Sequence, residues 1–190
     1  MMKNTAIFSL IMCSLLLSCV SIPPPSTEEV LIFQEAREDL ARGDHDRVLQ
    51  NMEKYLQDRP PGSLTAEAHL LTGEAFKGKV DRARNEKVIT GIILTTYTSP
   101  LLRKAYENYM TAAFEGANNE VASEALFKAA AMLDIDYMRN FEKALVVYGD
   151  VISKFPGTVW AERAQVRYDN LEDKFGTIIS GPHQTPGGKK

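Results

Sequence analysis

The stretch from Asn140 to Phe155 constrains this chain most. Phe141, Ala144, Leu145, Tyr148, Val151, Ile152 and Phe155 recur three and four residues apart, a spacing that lines up on one side of an α-helix and on neither face of a strand. Asn140 has the side chain of an N-cap, and Pro156-Gly157 ends the run because neither residue favours helix continuation. The pattern recurs on both sides. Thr158 opens a second helix with Ala161, Ala164, Tyr168, Leu171 and Phe175 inward, and Val121 to Leu133 offers Ala122, Ala125, Ala129, Ala130 and Leu133 for close packing. A body built from such alternating helices and breaks is all-α.

The N-terminal half obeys the same rules. Ser26 with Glu29 predicts a capping box, opening a helix with Ile32, Phe33, Ala36 and Leu40 inward. Gly43-Asp44 makes a turn, and Val48, Leu49, Met52, Tyr55 and Leu56 mark the next helix, which stops by Pro60. Ser99-Pro100 predicts another helix start, with proline at its first position and Leu102, Ala105, Tyr109 and Ala112 inward. Apolar residues make up 44% of the 190 and charged ones 25%, enough to bury a core without covalent staples. Two cysteines are too few for a disulfide framework. A net charge of −3 gives no electrostatic footprint for nucleic acid.

Residues 1–18 read as an export signal. Lys3 is the charged start, and an apolar run extends from Ala6 to Leu17, shorter than the roughly 20 residues a membrane-spanning helix needs. The run ends in Leu16-Leu17-Ser18-Cys19, which resembles the lipobox of bacterial lipoproteins. That resemblance implies cleavage between Ser18 and Cys19 and acylation of Cys19, anchoring the chain to a membrane. Several acyl chains hold firmly, at about 0.8 kcal/mol per buried methylene. Val20 stands where an aspartate would resemble an inner-membrane retention signal, so the implied location is the outer membrane, facing the periplasm. Residues 19–26 form a proline-rich tether that extends only about 20 Å. Residues 27–175 are the folded body, and 176–190, rich in Gly, Pro, Ser and Thr, are expected to be a disordered tail.

Within the body an internal repeat emerges. Val48, Met52, Tyr55 and Pro60 have the spacing of Ala144, Tyr148, Val151 and Pro156, and Ala105, Tyr109 and Ala112 share it. Small and aromatic residues recurring before a terminal proline resemble the second helix of the tetratricopeptide repeat. Gly73 and Phe76 match the glycine and aromatic of its first helix. The resemblance implies a short helical-hairpin solenoid of about three repeats (28–60, 65–118 and 121–156) with a capping helix at 158–175. The Phe-Glu-Lys-Ala…Tyr…Phe-Pro-Gly stretch is similar to repeats of periplasmic envelope-assembly lipoproteins. The function this resemblance implies is that of a scaffold whose first helices hold an extended peptide or partner subunit. Arg37, Glu74, Lys77, Asp134 and Gln165 are the residues expected on that face.

The second repeat carries extra length. Residues 77–87 hold five basic side chains against two acidic ones, and the apolar run Val88 to Tyr97 comes next. Segment 79–98 is read either as a contact for a partner or for lipid headgroups, or as a longer first helix whose apolar end packs inward.

No catalytic constellation stands out. There is no glycine-rich phosphate loop, nucleophile elbow or zinc-protease motif. His45, His69 and His183 are far apart in sequence; Asp44-His45-Asp46 fits a sharp turn between helices, and Asp134 with Asp136 a helix end. The expectation is a non-enzymatic scaffold with no cofactor beyond the lipid on Cys19, no metal and an envelope protein or peptide as partner. The alternative is a small-molecule or lipid carrier serving a transporter, which requires an apolar cavity lined by Phe33, Leu70, Phe127 and Tyr168.

Overall fold

The computed structural model describes residues 24–58, 62, 64–85, 91–134 and 140–179, with side chains from 99 onward in the fourth stretch and up to 175 in the last. Among these residues the chain forms seven helices and no strand: α1 (Thr27–Arg42), α2 (His45–Asp58), α3 (Thr65–Asn85), α4 (Gly91–Glu115), α5 (Asn119–Asp134), α6 (Phe141–Lys154) and α7 (Val159–Ile179). The protein is all-α. None of these helices is long and apolar enough to cross a membrane. Ser18 and Cys19, with the signal and most of the tether, lie outside the described residues.

Four helix boundaries are set by the residues expected to set them. Ser26 Oγ accepts from the Glu29 amide at 3.2 Å, and Glu29 accepts from the Ser26 amide at 2.8 Å, so two orphan donors of the first turn are satisfied reciprocally. Gly43 has φ +76°, which lets its amide and that of Asp44 turn back to the carbonyls of Leu40 and Asp39 at 2.9 and 2.8 Å. Asn140 accepts from the Lys143 amide at 3.1 Å, and Thr158 from the Ala161 amide at 3.1 Å. Gly157, at φ +83°, makes the break between α6 and α7.

Three expectations are corrected. α3 runs on to Asn85, and α4 begins at Gly91 rather than Ser99, so Pro100 lies inside α4 instead of at its first position. The proline forfeits one backbone bond to the preceding turn, yet eight helical residues precede Ser99. The extra length of the second pair is therefore largely helix. At the other end, α7 reaches Ile179, four residues into the segment expected to be a tail.

The helices pack in chain order, each against the next, and α1 touches α3, α3 touches α5 and α5 touches α7. Among the described residues the backbone of α2 does not approach that of α4, nor α4 that of α6. The odd-numbered helices thus form one continuous row of neighbours, and each even-numbered helix packs against the two odd helices that flank it in sequence. Three core clusters hold these contacts together. Phe33, Met52 and Tyr55 fill the first, with the Phe33 and Tyr55 rings edge-to-face at 4.9 Å. Tyr109 with Leu102, Ala105, Ala112 and Ala129 fills the second, and Tyr148 with Ala144, Val151 and Ala164 the third. Fully burying each large side chain is worth about 1.5–3 kcal/mol. Phe141 and Phe175 stack at 4.3 Å and tie the start of α6 to the end of α7.

Gly73 has a packing role. A Cβ on Gly73 would lie 2.7 Å from the Tyr109 ring and 3.2 Å from the Ala105 carbonyl oxygen, so α3 and α4 meet backbone against ring. On Gly149 a Cβ would meet only Tyr168, at an ordinary 3.8 Å. Gly73→Ala is expected to lower stability by about 1–3 kcal/mol despite alanine's better helix propensity. Gly149→Ala is expected to raise it by about 0.5–1 kcal/mol. Urea melts of the two variants check both signs.

Candidate functional site

The residues expected to read a partner sit on the odd-numbered helices, but most of them also join those helices together. Arg37 on α1 is ion-paired with Glu67 on α3. Glu74 on α3 accepts from Lys128 Nζ on α5 at 2.6 Å. Asp134, the last residue of α5, accepts from Arg167 Nε on α7 at 2.9 Å. Each junction between successive odd helices is thus spanned by one ion pair. Lys77 instead pairs with Asp81 one turn on, at 2.6 Å, and Gln165 donates to Asp169 at 2.7 Å.

Two of the three junctions carry a third member. Tyr109 on α4 donates its hydroxyl to Glu74 at 2.7 Å, and Tyr148 on α6 donates to Asp134 at 3.2 Å. Each unit is therefore a buried tyrosine from an even helix, a carboxylate from the odd helix before it, and a cation from the next odd helix. Burial, together with the facing carboxylate, pushes both phenols well above their ordinary pKa. Burial alone would lower Lys128, but Glu74 and Glu124, the latter 3.0 Å away, outweigh it and hold the ammonium above its usual value. Burial works against the Arg167 guanidinium too, and Asp134 with Tyr148 overcomes it.

The two units also measure the extra length. From Glu74 to Tyr109 is 35 residues and from Asp134 to Tyr148 is 14, a difference of 21. From Glu74 to Lys128 is 54 and from Asp134 to Arg167 is 33, again a difference of 21. Twenty-one residues make about six helical turns, which lengthens both helices of the α3–α4 hairpin without rotating either face. The first pair has no such unit, because Met52 stands at the position of the tyrosines and the polarity of the Arg37–Glu67 pair is reversed.

Asp134 is buried, with its side chain only 5% exposed, so it joins α5, α6 and α7 and offers no free carboxylate to a partner. Arg37 is 54% exposed and Gln165 is also exposed. Sequence reasoning missed Glu67, Lys128 and Arg167, whose partners lie 30 to 54 residues away. Beside Lys128 in this row, Phe127 packs on Trp160 at 5.2 Å, and the Arg163 guanidinium lies over the Trp160 ring at 4.6 Å.

The cavity required by the carrier alternative is not built from the four residues named for it. Phe33 belongs to the first core cluster, Leu70 to the second, and Phe127 and Tyr168 to the third. The Asp44-His45-Asp46 side chains also diverge. Asp44 caps the Arg47 amide at 3.3 Å, Asp46 pairs with Lys79 at 2.6 Å, and the His45 ring packs against Gly78 with its Nδ1 buried and without a hydrogen-bond partner among the described residues. No group of three or more metal-ligating side chains gathers among the described residues. No family model, curated protein or solved structure matches the chain.

These contacts differ in what their loss would cost. Asp134→Ala removes the acceptor of both Tyr148 and Arg167 and is expected to cost about 2–3 kcal/mol, whereas Arg37→Ala, at an exposed pair, costs less than about 1 kcal/mol; equilibrium unfolding ranks them. Burial, then Arg82 and Lys79, depress the His45 pKa against the opposing pull of Asp46 and Asp44. The unfolded chain therefore binds the proton more readily, so His45 contributes stability above its ordinary pKa of about 6.5 that is lost as pH falls through the lower folded value. Melting temperatures measured from pH 7.5 to 5 are expected to fall less steeply in His45→Phe than in wild type.

Proposed function

We propose that this chain is a membrane-anchored protein-interaction scaffold of the bacterial cell envelope, built as a short tetratricopeptide-like solenoid of about three helical hairpins closed by α7. The observation that carries the reading is the recurrence of one tyrosine–carboxylate–cation unit at successive hairpins, in register once the 21 extra residues are set aside. Recurrent junctions between neighbouring hairpins are how a quasi-one-dimensional array holds together. The odd helices approach one another while the even helices stay apart, which curves such an array toward its odd face. That face is the natural seat for an extended peptide or a partner subunit. Assigned to it are Arg37, the partly buried Glu74 and Lys128, and the Trp160–Arg163 stack; Gln165, two positions from both Arg163 and Arg167, falls on the other side of α7 by helical spacing. Aromatic and arginine side chains held this way are the usual anchors of protein interfaces.

The anchor in this proposal is the lipid on Cys19, and the place is the outer membrane, facing the periplasm. With only seven residues between Cys19 and α1, the body sits close to that membrane. Segment 79–98, at the end of the lengthened hairpin, is part of the same proposal as a second partner contact. The chemistry of the scaffold is recognition rather than catalysis, and it needs no cofactor besides the lipid.

In-cell crosslinking of the full-length protein, with mass spectrometry of the captured material, tests this reading. One envelope protein is expected to be recovered with wild type and lost with Cys19→Ala. Because Arg37 helps to join α1 to α3, the face is tested by the swap Arg37→Glu/Glu67→Arg, which keeps the ion pair and inverts its field. Capture that drops at least fivefold while melting is unchanged supports recognition by the odd face. Undiminished capture by the swapped protein removes that assignment.

A further inference from the structure

The side of the α1–α2 pair turned away from α3 combines an apolar cleft with an acidic rim. Phe33, Ala36 and Arg37 face the interior and α3, leaving Glu28, Leu31, Ile32 and Glu35 together on the opposite side of α1 by their three- and four-residue spacing. A cleft of about 310 Å³ opens there between the helices. Ile32 and Tyr55 form its floor, Glu28 and Glu35 its α1 wall, and Lys54 and Asp58 its α2 wall. Leu31, 60% exposed, is on the same side of α1 by its spacing from Glu28 and Glu35, outside the residues that line the cleft. The floor is fixed in place, since Tyr55 is nearly buried and donates its hydroxyl to Glu29 at 3.1 Å.

Charge identifies what fits. Residues 27–58 carry nine acidic side chains against four basic ones, a formal −5, whereas the whole chain carries −3. The negative charge is thus concentrated on this one hairpin, and the remainder of the chain is net basic. With Lys54 the one cation among the residues that line it, the rim is net negative, and such a potential around a cleft selects and steers a partner of the other sign. An anionic membrane surface does not meet that requirement.

We infer that the α1–α2 cleft docks a basic amphipathic helix of a partner protein, with its apolar stripe on Leu31, Ile32 and Tyr55 and its lysines or arginines toward Glu28 and Asp58, Glu35 being paired with Arg47. An amphipathic helix laid in an apolar groove is a recurrent recognition mode. This surface is separate from the odd face and does not rest on that face being a binding site.

The test uses the full-length chain in detergent and two fluorescent helical peptides with the same leucine spacing, one carrying lysines and the other glutamates, with anisotropy as readout. The lysine peptide is expected to bind at least tenfold more tightly than the glutamate peptide and to weaken at least fivefold between 50 and 300 mM salt. Glu28→Lys/Asp58→Lys is expected to weaken it at least tenfold, and Leu31→Ser at least threefold, with helical circular dichroism unchanged in both. Glu120→Lys/Glu172→Lys, which makes the same change of net charge at exposed positions on α5 and α7, is expected to leave binding within twofold. Equal loss in that control, equal affinity for the two peptides, or no binding of the lysine peptide overturns the proposal. Because Arg37→Glu/Glu67→Arg leaves the cleft untouched, loss of binding in that variant would also overturn it and would assign the peptide to the odd face.

Discussion

The need to satisfy a tyrosine hydroxyl in an otherwise apolar hairpin organises the rest of this molecule. Tyr109 and Tyr148 are both fully buried, and a phenol in that position requires an acceptor. Glu74 and Asp134 supply it from the preceding odd helix. A carboxylate so placed is partly out of water and requires a countercharge, which Lys128 and Arg167 bring from the next odd helix. Packing inside one hairpin therefore obliges contact with the next. Partly buried pairs of this kind add little net stability after desolvation. Their stronger effect is on register, because a slip of either helix leaves a charge without its partner.

This requirement divides the polar residues of the odd row into two groups. Glu74 and Asp134 are engaged on both sides and are the wrong places to look for adjustable recognition. Arg37 is more open, because its pair with Glu67 has no tyrosine behind it and lies at an exposed junction. The asymmetry matches the chain's own change at Met52, where a thioether replaces the phenol and removes the demand for a buried carboxylate. The first hairpin still buries one carboxylate, Asp39, held by Arg42 from within α1 and by Arg47 from α2, while Glu28, Glu35 and Asp58 line the α1–α2 cleft.

Much of the fold was legible because it depends on local spacing. The stripe from Phe141 to Phe155, the Ser26–Glu29 box and the turn at Gly43 act over a few residues, and the structure has them where the pattern predicts. Pro100 misled for a specific reason. Proline is favoured at a first helical position, but it is excluded from an interior only by about 3 kcal/mol, which the packing of a 25-residue helix against α3 and α5 offsets. The ion pairs were legible only by half. Arg37, Glu74 and Asp134 could be chosen by position, but their partners lie on other hairpins, and nothing local distinguishes Lys128 from any other helical lysine. Contact between His45 and Gly78 was invisible for the same reason: it depends on how α2 meets α3.

Gly73 shows how far the recurrence extends. It precedes Glu74, and the residue preceding Asp134 is Leu133, which is also buried. Where the chain has glycine, the tyrosine ring lies directly on the helix backbone and its hydroxyl reaches the carboxylate at 2.7 Å; where it has leucine, the distance is 3.2 Å. The polar unit thus recurs while the packing beneath it does not. A side chain at 73 would push against the Tyr109 ring at the centre of the longest hairpin, where small displacements are carried along the added turns. The glycine is best understood as the means by which the lengthened hairpin keeps the same polar junction as its shorter neighbour.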